Sequence, residues 1–115
     1  MSGLRARLRG DAAGAAVSLD AAQVRAVLTR PTITEVPGAS PSLRGLFAWR
    51  ERVVPLVTLA PHQWGSVAVV LESGGEHVAV ELEAVHGLVE SDEAPSLDAA
   101  AARALVTMSA TQEER

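Results

Sequence analysis

Apolar and polar residues alternate with a period of two along much of the chain, the mark of half-buried strands. In residues 4–9, Leu4, Ala6 and Leu8 alternate with Arg5, Arg7 and Arg9. Asp11-Ala12-Ala13-Gly14 interrupts the pattern as a turn, and residues 15–19 resume it, which predicts a hairpin. Asp20 is placed to cap a short helical turn over residues 21–24. Residues 24–29 read as a further strand, and Pro31 stops any longer helix. Residues 35–41 form a loop fixed by Pro37, Gly38 and Pro41. Two strands follow, 43–49 and 52–59, joined at Arg50-Glu51. That junction lacks the Asn-Gly or Asp-Gly of a tight two-residue hairpin, so a bulged or longer turn is expected. Pro55 donates no hydrogen bond, so its amide position should face an edge or a bulge.

After a connector at 60–66, residues 67–71 are nearly all apolar, as in a strand buried on both faces. Ser73-Gly74-Gly75-Glu76 turns the chain; residues 77–82 alternate, and 85–89 are apolar again. Residues 91–96 form an acidic loop. The end is mixed: Asp98 followed by four alanines reads as a capped helix, and residues 105–108 read as a strand. Residues 109–115 read as a frayed tail. Strand periodicity places Val24, Val27, Val53, Leu56, Val69, Leu71, Val80 and Leu82 in the core.

The strand order repeats. Strand, turn, strand, then Val24-Arg25-Ala26-Val27-Leu28 in the first half is echoed by strand, turn, strand, then Val85-His86-Gly87-Leu88-Val89 in the second. Residues 56–59 are echoed by 105–108. The pattern predicts a single all-β domain over 1–115, with halves at about 4–59 and 67–108 forming two small barrel-like sheets.

Composition removes several function classes. The 115 residues include no cysteine, which excludes disulfides, thiolate metal sites and a cysteine nucleophile. All ten cations are arginine, so no lysine is present for Schiff-base chemistry. A net charge of −4 argues against direct nucleic-acid binding. His62, His77 and His86 fall at no metal-ligand spacing, the serines lack a nucleophile elbow, and no helix follows Gly74-Gly75 to cradle phosphate. An enzyme, a metal and a cofactor are therefore not expected. No apolar stretch is long enough to span a membrane and no leader pattern is present, so a cytoplasmic protein without direct membrane contact is expected. Phe47, Trp49, Arg50 and Arg52 cluster on the central hairpin, and Trp and Arg often anchor protein interfaces. On composition alone, a core Trp49 with solubilising arginines reads equally well.

The central stretch resembles the CheW-like domain, the adaptor of bacterial chemosensory arrays. The residues carrying the resemblance are Val24 to Leu28, then Ile33-Thr34-Glu35-Val36-Pro37 with Pro41. Arg44-Gly45 follows, then Arg50 and the run Val53-Val54-Pro55-Leu56-Val57-Thr58-Leu59. Residues 67–89 extend it. Ala48, Glu51 and Thr58 stand where the family has Asn, Gly and Asp. The resemblance implies two SH3-like barrels, the second shortened, because the connector at 60–66 is brief and a hairpin is missing from 91–102. It also implies a non-catalytic role: binding the cytoplasmic tip of a methyl-accepting chemotaxis receptor and, in full-length relatives, a CheA-type histidine kinase. The loop and hairpin from 36 to 59 would form the receptor side, with Val36, Arg44, Phe47, Trp49, Arg50 and Arg52 as its binding residues. The shortening makes kinase coupling doubtful and suggests interplay with a full-length CheW. In size and style the chain is nearest to the short CheW-type adaptors of Frz-type systems, which control gliding reversals. The alternative is a β-rich interaction module of a different regulatory assembly, which binds by its sheet edges.

Overall fold

The structure, a computed structural model, describes residues 6–12, 14–39, 41–60, 63–90 and 96–113. The expectations for Leu4, Arg5, Ala13, His62 and loop 91–95 lie outside these residues. In chain order the elements are β1 (Ala6–Ala12), β2 (Ala15–Asp20), a 3-10 turn (Ala21–Gln23), β3 (Val24–Thr29), β4 (Leu43–Trp49) and β5 (Arg52–Thr58). Then come β6 (Val67–Ser73), β7 (Glu76–Leu82), β8 (Ala84–Glu90), β9 (Ser96–Leu97) and α1 (Ala99–Glu113). The strands make two sheets, ordered β8-β1-β2-β9 and β3-β6-β7-β5-β4. The fold is mostly β, as the alternation of the sequence implies.

The two sheets share one wiring pattern, and each takes a strand from the opposite half of the chain. Hairpin β1–β2 receives β8, and hairpin β6–β7 receives β3, in both cases antiparallel along the first strand of the hairpin. The second strand of each hairpin then pairs in parallel, β7 with β5 and β2 with β9. Ser18↔Ser96 and Ala79↔Leu56 are thus equivalent pairs. The counterpart of β5 is therefore Ser96–Leu97, and the expected echo at 105–108 is corrected. The five-stranded sheet has one further strand, β4, which lies outside β5.

Residues 105–108 are helical, and the helix runs on through Gln112 and Glu113, so neither the strand nor the tail expected there forms. The short helical turn expected after Asp20 is the 3-10 turn Ala21–Gln23, and one 15-residue helix forms at the end of the chain besides. Asp98 accounts for it: its carboxylate accepts from the Ala101 N–H at 2.9 Å, and four alanines propagate the turn. Ala99 and Ala102 are fully buried, and Leu105 and Val106 pack on the same core. That spacing of three and four is a helix face.

The central sheet is buried on both faces. Val57, Val69, Leu71, Val78, Val80 and Leu82 point toward Leu8, Leu19 and α1. Phe47, Val54, Leu56, Ala68, Val70 and Ala79 form a second core on the opposite face. Two expected core residues are outside both: Val27 is 47% exposed and Val53 69% exposed. On β5 it is Val54 and Leu56 that point inward, which turns Val53 out beside Ala48. On β3 the inward positions are Ala26 and Leu28. A bulge in the pairing after Val24 skips Arg25, so Val24 and Ala26 oppose consecutive residues of β6; Val27 then shares the face of Val24, opposite Val69, but β3 is an edge strand and leaves it exposed.

Candidate functional site: the β4–β5 hairpin and its neighbours

Trp49 pairs with Arg52, leaving only Arg50 and Glu51 in the turn. Both have positive φ, 51° and 65°. The expected bulged or longer turn is therefore corrected to a tight two-residue turn of the kind that matches strand twist. The sequence hides it, because two side-chain-bearing residues take a backbone normally left to Asn and Gly. Holding them there costs on the order of 1 kcal/mol each. Pro55 sits just before the parallel β5–β7 ladder begins at Leu56, so its missing N–H interrupts no bond between those strands.

The hairpin tip carries an aromatic and cationic cluster. The Arg50 guanidinium lies 4.9 Å from the Trp49 ring centre. The His77 ring also stands against that indole, at 5.6 Å between centroids and tilted by 48°. Trp49 itself is half-buried against the second core. Arg52 and Val53 are exposed next to it. The tip thus presents a flat ring, two guanidinium groups and an exposed valine on a stiff two-stranded support.

Two of the other three candidates have structural surroundings. The Phe47 side chain is inside the second core, facing Val54. Arg44 forms a largely buried ion pair with Glu81, Nη2 to Oε1 at 2.7 Å, with Nε donating to the same carboxylate. Its Nη2 also reaches the carbonyls of Gln63 and Ala60 and the hydroxyl of Thr58. The Trp64 ring covers the guanidinium at 4.1 Å. Arg44 therefore ties the connector to β7. Val36 is exposed on the loop before β4; the antiparallel Thr34↔Leu46 bridge directs it toward Leu43 and Arg44, away from the tip cluster. That bridge needs Gly45: a Cβ there would collide with Ile33 and the Thr34 carbonyl.

Periodicity placed Val27 in the core and did not single out Leu88. Leu88 pairs with buried Leu8 and Val27 with buried Val69, so each faces the shared core. Yet both lie on edge strands and are exposed, Leu88 by 68%. They are exposed apolar side chains on the two sheet edges β3 and β8. Among the described residues no group of acidic and histidine side chains is arranged to hold a metal ion. No described helix is long and apolar enough to cross a membrane.

A family model for the CheW-like domain matches residues 7–114. Among solved structures, the chain is similar to the crystal structure of the scaffolding protein TtCheW from Thermoanaerobacter tengcongensis. The TM-score is 0.69 and the sequence identity 20%, covering 78% of this chain and 67% of that one. At that identity the likeness concerns the fold. No curated protein matches the sequence.

Proposed function

The chain belongs to the CheW-like domain family, and from that premise we propose that it is a non-catalytic chemosensory adaptor. It binds the cytoplasmic signalling region of a methyl-accepting chemotaxis receptor and works in the cytoplasm. The observation that carries the reading is the family match across residues 7–114, nearly the whole chain. The tip of the β4–β5 hairpin gives it a physical basis. Trp49, Arg50, Arg52 and Val53 offer apolar area beside fixed positive charge, a combination suited to the mixed surface of a receptor helix.

Coupling to a CheA-type histidine kinase is weak or lost in this reading. The β8-β1-β2-β9 sheet ends on a two-residue strand where the other sheet carries β5 and β4. Sheet edges and side chains that a second partner would grip are reduced accordingly. A standard interface needs ~800 Å² from each partner. The protein then resembles the short FrzB-type adaptors of gliding systems, and it competes with or spaces a full-length CheW. The second reading is an interaction module of another regulatory assembly, which the exposed edge strands β3 and β8 favour. Calorimetric titration with a receptor signalling-domain fragment separates the two. Saturable binding supports the adaptor; no binding to that fragment favours the other assembly.

A further inference from the structure

We propose that the mouth of the second core binds one small, uncharged aromatic molecule of one or two rings that carries a single N–H or O–H donor. The place is a cavity of ≈350 Å³ walled by Ile33, Leu56, Trp64, Ala68 and Glu81, with Arg30 beside it. Local sequence makes this space. β3 ends at Thr29, and Pro31 has no N–H with which to prolong the ladder to β6. Arg30 takes a φ of 51° and donates its N–H to the Ser66 carbonyl at 3.0 Å. The chain then leaves edge strand β3 and joins the opposite edge strand where Thr34 bridges Leu46 of β4, so residues 31–33 cross the mouth. From the connector, Gly65 packs so closely on β7 that a Cβ would collide with the Leu82 carbonyl and the Glu81 side chain. That approach sets the neighbouring Trp64 at the cavity.

Two features of the wall point to a guest. The Trp64 ring is held in place over the Arg44 guanidinium, yet the residue is 66% exposed. A fixed, uncovered indole beside an apolar hollow is surface that another ring can cover. The second feature is Glu81. It pairs directly with Ala68 across the β6–β7 ladder, so its side chain points to the same face as that cavity residue. It is nine-tenths buried, but its two oxygens are unequally served. Oε1 accepts from Arg44 Nη2 at 2.7 Å and Nε at 3.1 Å, whereas Oε2 accepts only from Nε, at 3.3 Å. A carboxylate oxygen with one long bond keeps acceptor capacity, and leaving it unused under burial costs free energy. A ring stacked on Trp64 with its donor on Oε2 answers both features.

Charge and size define the class of guest. Arg44 already neutralises Glu81, and Arg30 enters no ion pair among the described residues. The surplus of positive charge disfavours an ammonium, and an anion would face the Glu81 carboxylate. A neutral donor escapes both penalties. A cavity of about 150 Å³ accommodates one benzene ring, so the larger volume here has room for two fused rings. The wall is mostly hydrocarbon with one placed polar group, the usual make-up of a small-molecule site. Arg30 and Trp64 are both exposed, so a guest can enter from solvent between them. The site lies at the other end of β5 from the Arg50-Glu51 turn and does not depend on the adaptor reading.

The test is a nuclear magnetic resonance titration of the full chain with indole in one arm and benzofuran in the other. Benzofuran has the same two-ring body with oxygen in place of the N–H. Indole should give saturable shifts centred on the Trp64 indole N–H and the Gly65 and Ala68 amides. Benzofuran should move the same signals with about tenfold weaker affinity, the loss of one hydrogen bond to a charged acceptor. Ala68→Val adds two methyl groups to the cavity wall and should abolish indole binding. Trp64→Ala changes only an exposed side chain, keeps the fold, and should weaken indole by about tenfold; it decides the matter if Ala68→Val does not fold. The proposal is overturned if indole gives no saturable shifts, if benzofuran binds as tightly as indole, or if indole affinity is unchanged in the folded variants.

Discussion

His86 meets the Asp11 carboxylate at 2.8 Å in one sheet at the position where Arg25 meets Glu72 at 2.9 Å in the other. In each case the base is the residue skipped by a bulge, between Val85 and Gly87 or between Val24 and Ala26. In each case the acid follows the partner of the residue before the bulge, Gly10 or Leu71. The duplicated bulge thus carries a duplicated pin. A bulge bends its strand and raises the local twist. Pinning it fixes where β3 and β8 leave their own hairpins to join those of the other half.

The pin in the β3–β6 pair gives stability that depends on acid. The Arg25 side chain, hydrogen-bonded to Glu72, holds that carboxyl below its ordinary range. A depressed carboxylate contributes stability that is present at neutral pH and fades as pH falls through its lowered value. Arg25→Gln should therefore be less stable than the parent at pH 7, by a small margin because the pair is solvent-exposed. The margin should close in acid. Urea denaturation of both proteins at pH 7 and at pH 3 measures it, and a margin that widens in acid contradicts the assignment.

At the hairpin tip, Glu51 should be replaceable at a profit in stability. Its φ of 65° suits glycine, which pays no Cβ penalty in that region. Glu51→Gly should raise unfolding stability by about 1 kcal/mol. Destabilisation on chemical denaturation would show that the Glu51 side chain contributes more than the backbone strain costs.

How much of this was legible beforehand depends on which force decided each element. The strands β2 to β8 follow from alternation and turn residues, because burying one face of a strand is what alternation encodes. Two local rules failed for identifiable reasons. The turn at Arg50-Glu51 obeys strand twist and cross-strand packing of Phe47 on Val54, which outweigh the local preference for Asn-Gly. Residues 105–108 have strand-like composition, but Asp98 and four alanines start a helix, and burial of Ala99 and Ala102 retains it. Val27 was misassigned because alternation does not reveal which strand is an edge: the bulge at Arg25 puts Val27 on the face of Val24, and edge strand β3 leaves it uncovered. At the candidate site Arg50 and Arg52 are exposed, while Trp49 is half-buried against the second core, a position compatible with both readings that composition left open. Arg44 and Phe47 are enclosed: Glu81 and the Ala68, Val70 and Ala79 side chains of the second core come from β6 and β7, whose place beside β5 the sequence pattern does not specify.

The Arg44–Glu81 pair should behave as a buried ion pair. Its side chains are only 9% and 6% exposed. Arg44→Met leaves a carboxylate buried with no cation and should cost about 3–5 kcal/mol. Adding Glu81→Leu to it should recover most of that loss, because the charge to be compensated is gone. Equilibrium denaturation of the single and double variants reports the coupling. A single-variant loss below about 1 kcal/mol would place the pair in a more solvated setting than its exposure indicates.

Core and surface valines separate sharply in their expected effects. Leu71→Ala and Leu82→Ala remove side chains at or below 1% exposure and should each cost roughly 2–5 kcal/mol. Val53→Ala, on the same sheet but exposed, should change stability by less than about 0.5 kcal/mol. If Val53→Ala proved as damaging as Leu71→Ala, the β4–β5 register would be shifted by one residue, since such a slip exchanges the two faces.

Arg50 is the side chain on which receptor affinity should most depend. It projects from the hairpin turn, is exposed, and its guanidinium rests over the Trp49 ring, so its position is fixed before any partner arrives. Pre-positioning lowers the ordering cost of binding, and an Arg beside a Trp is a frequent interface anchor. Arg50→Ala should weaken receptor binding by about thirtyfold, near 2 kcal/mol. Arg50→Lys should also weaken it, because an ammonium cannot reproduce the planar fork or its stacking on indole. Both substitutions touch a strained turn, so each is to be compared with Glu51→Gly, which alters the turn and spares the side chain. Calorimetry with a receptor signalling-domain fragment gives the affinities, and circular dichroism verifies that the fold is retained. If Arg50→Ala binds as the parent does while Leu88→Glu or Val27→Glu abolishes binding, the receptor contact lies on the sheet edges β3 and β8. The hairpin tip is then free for a different partner.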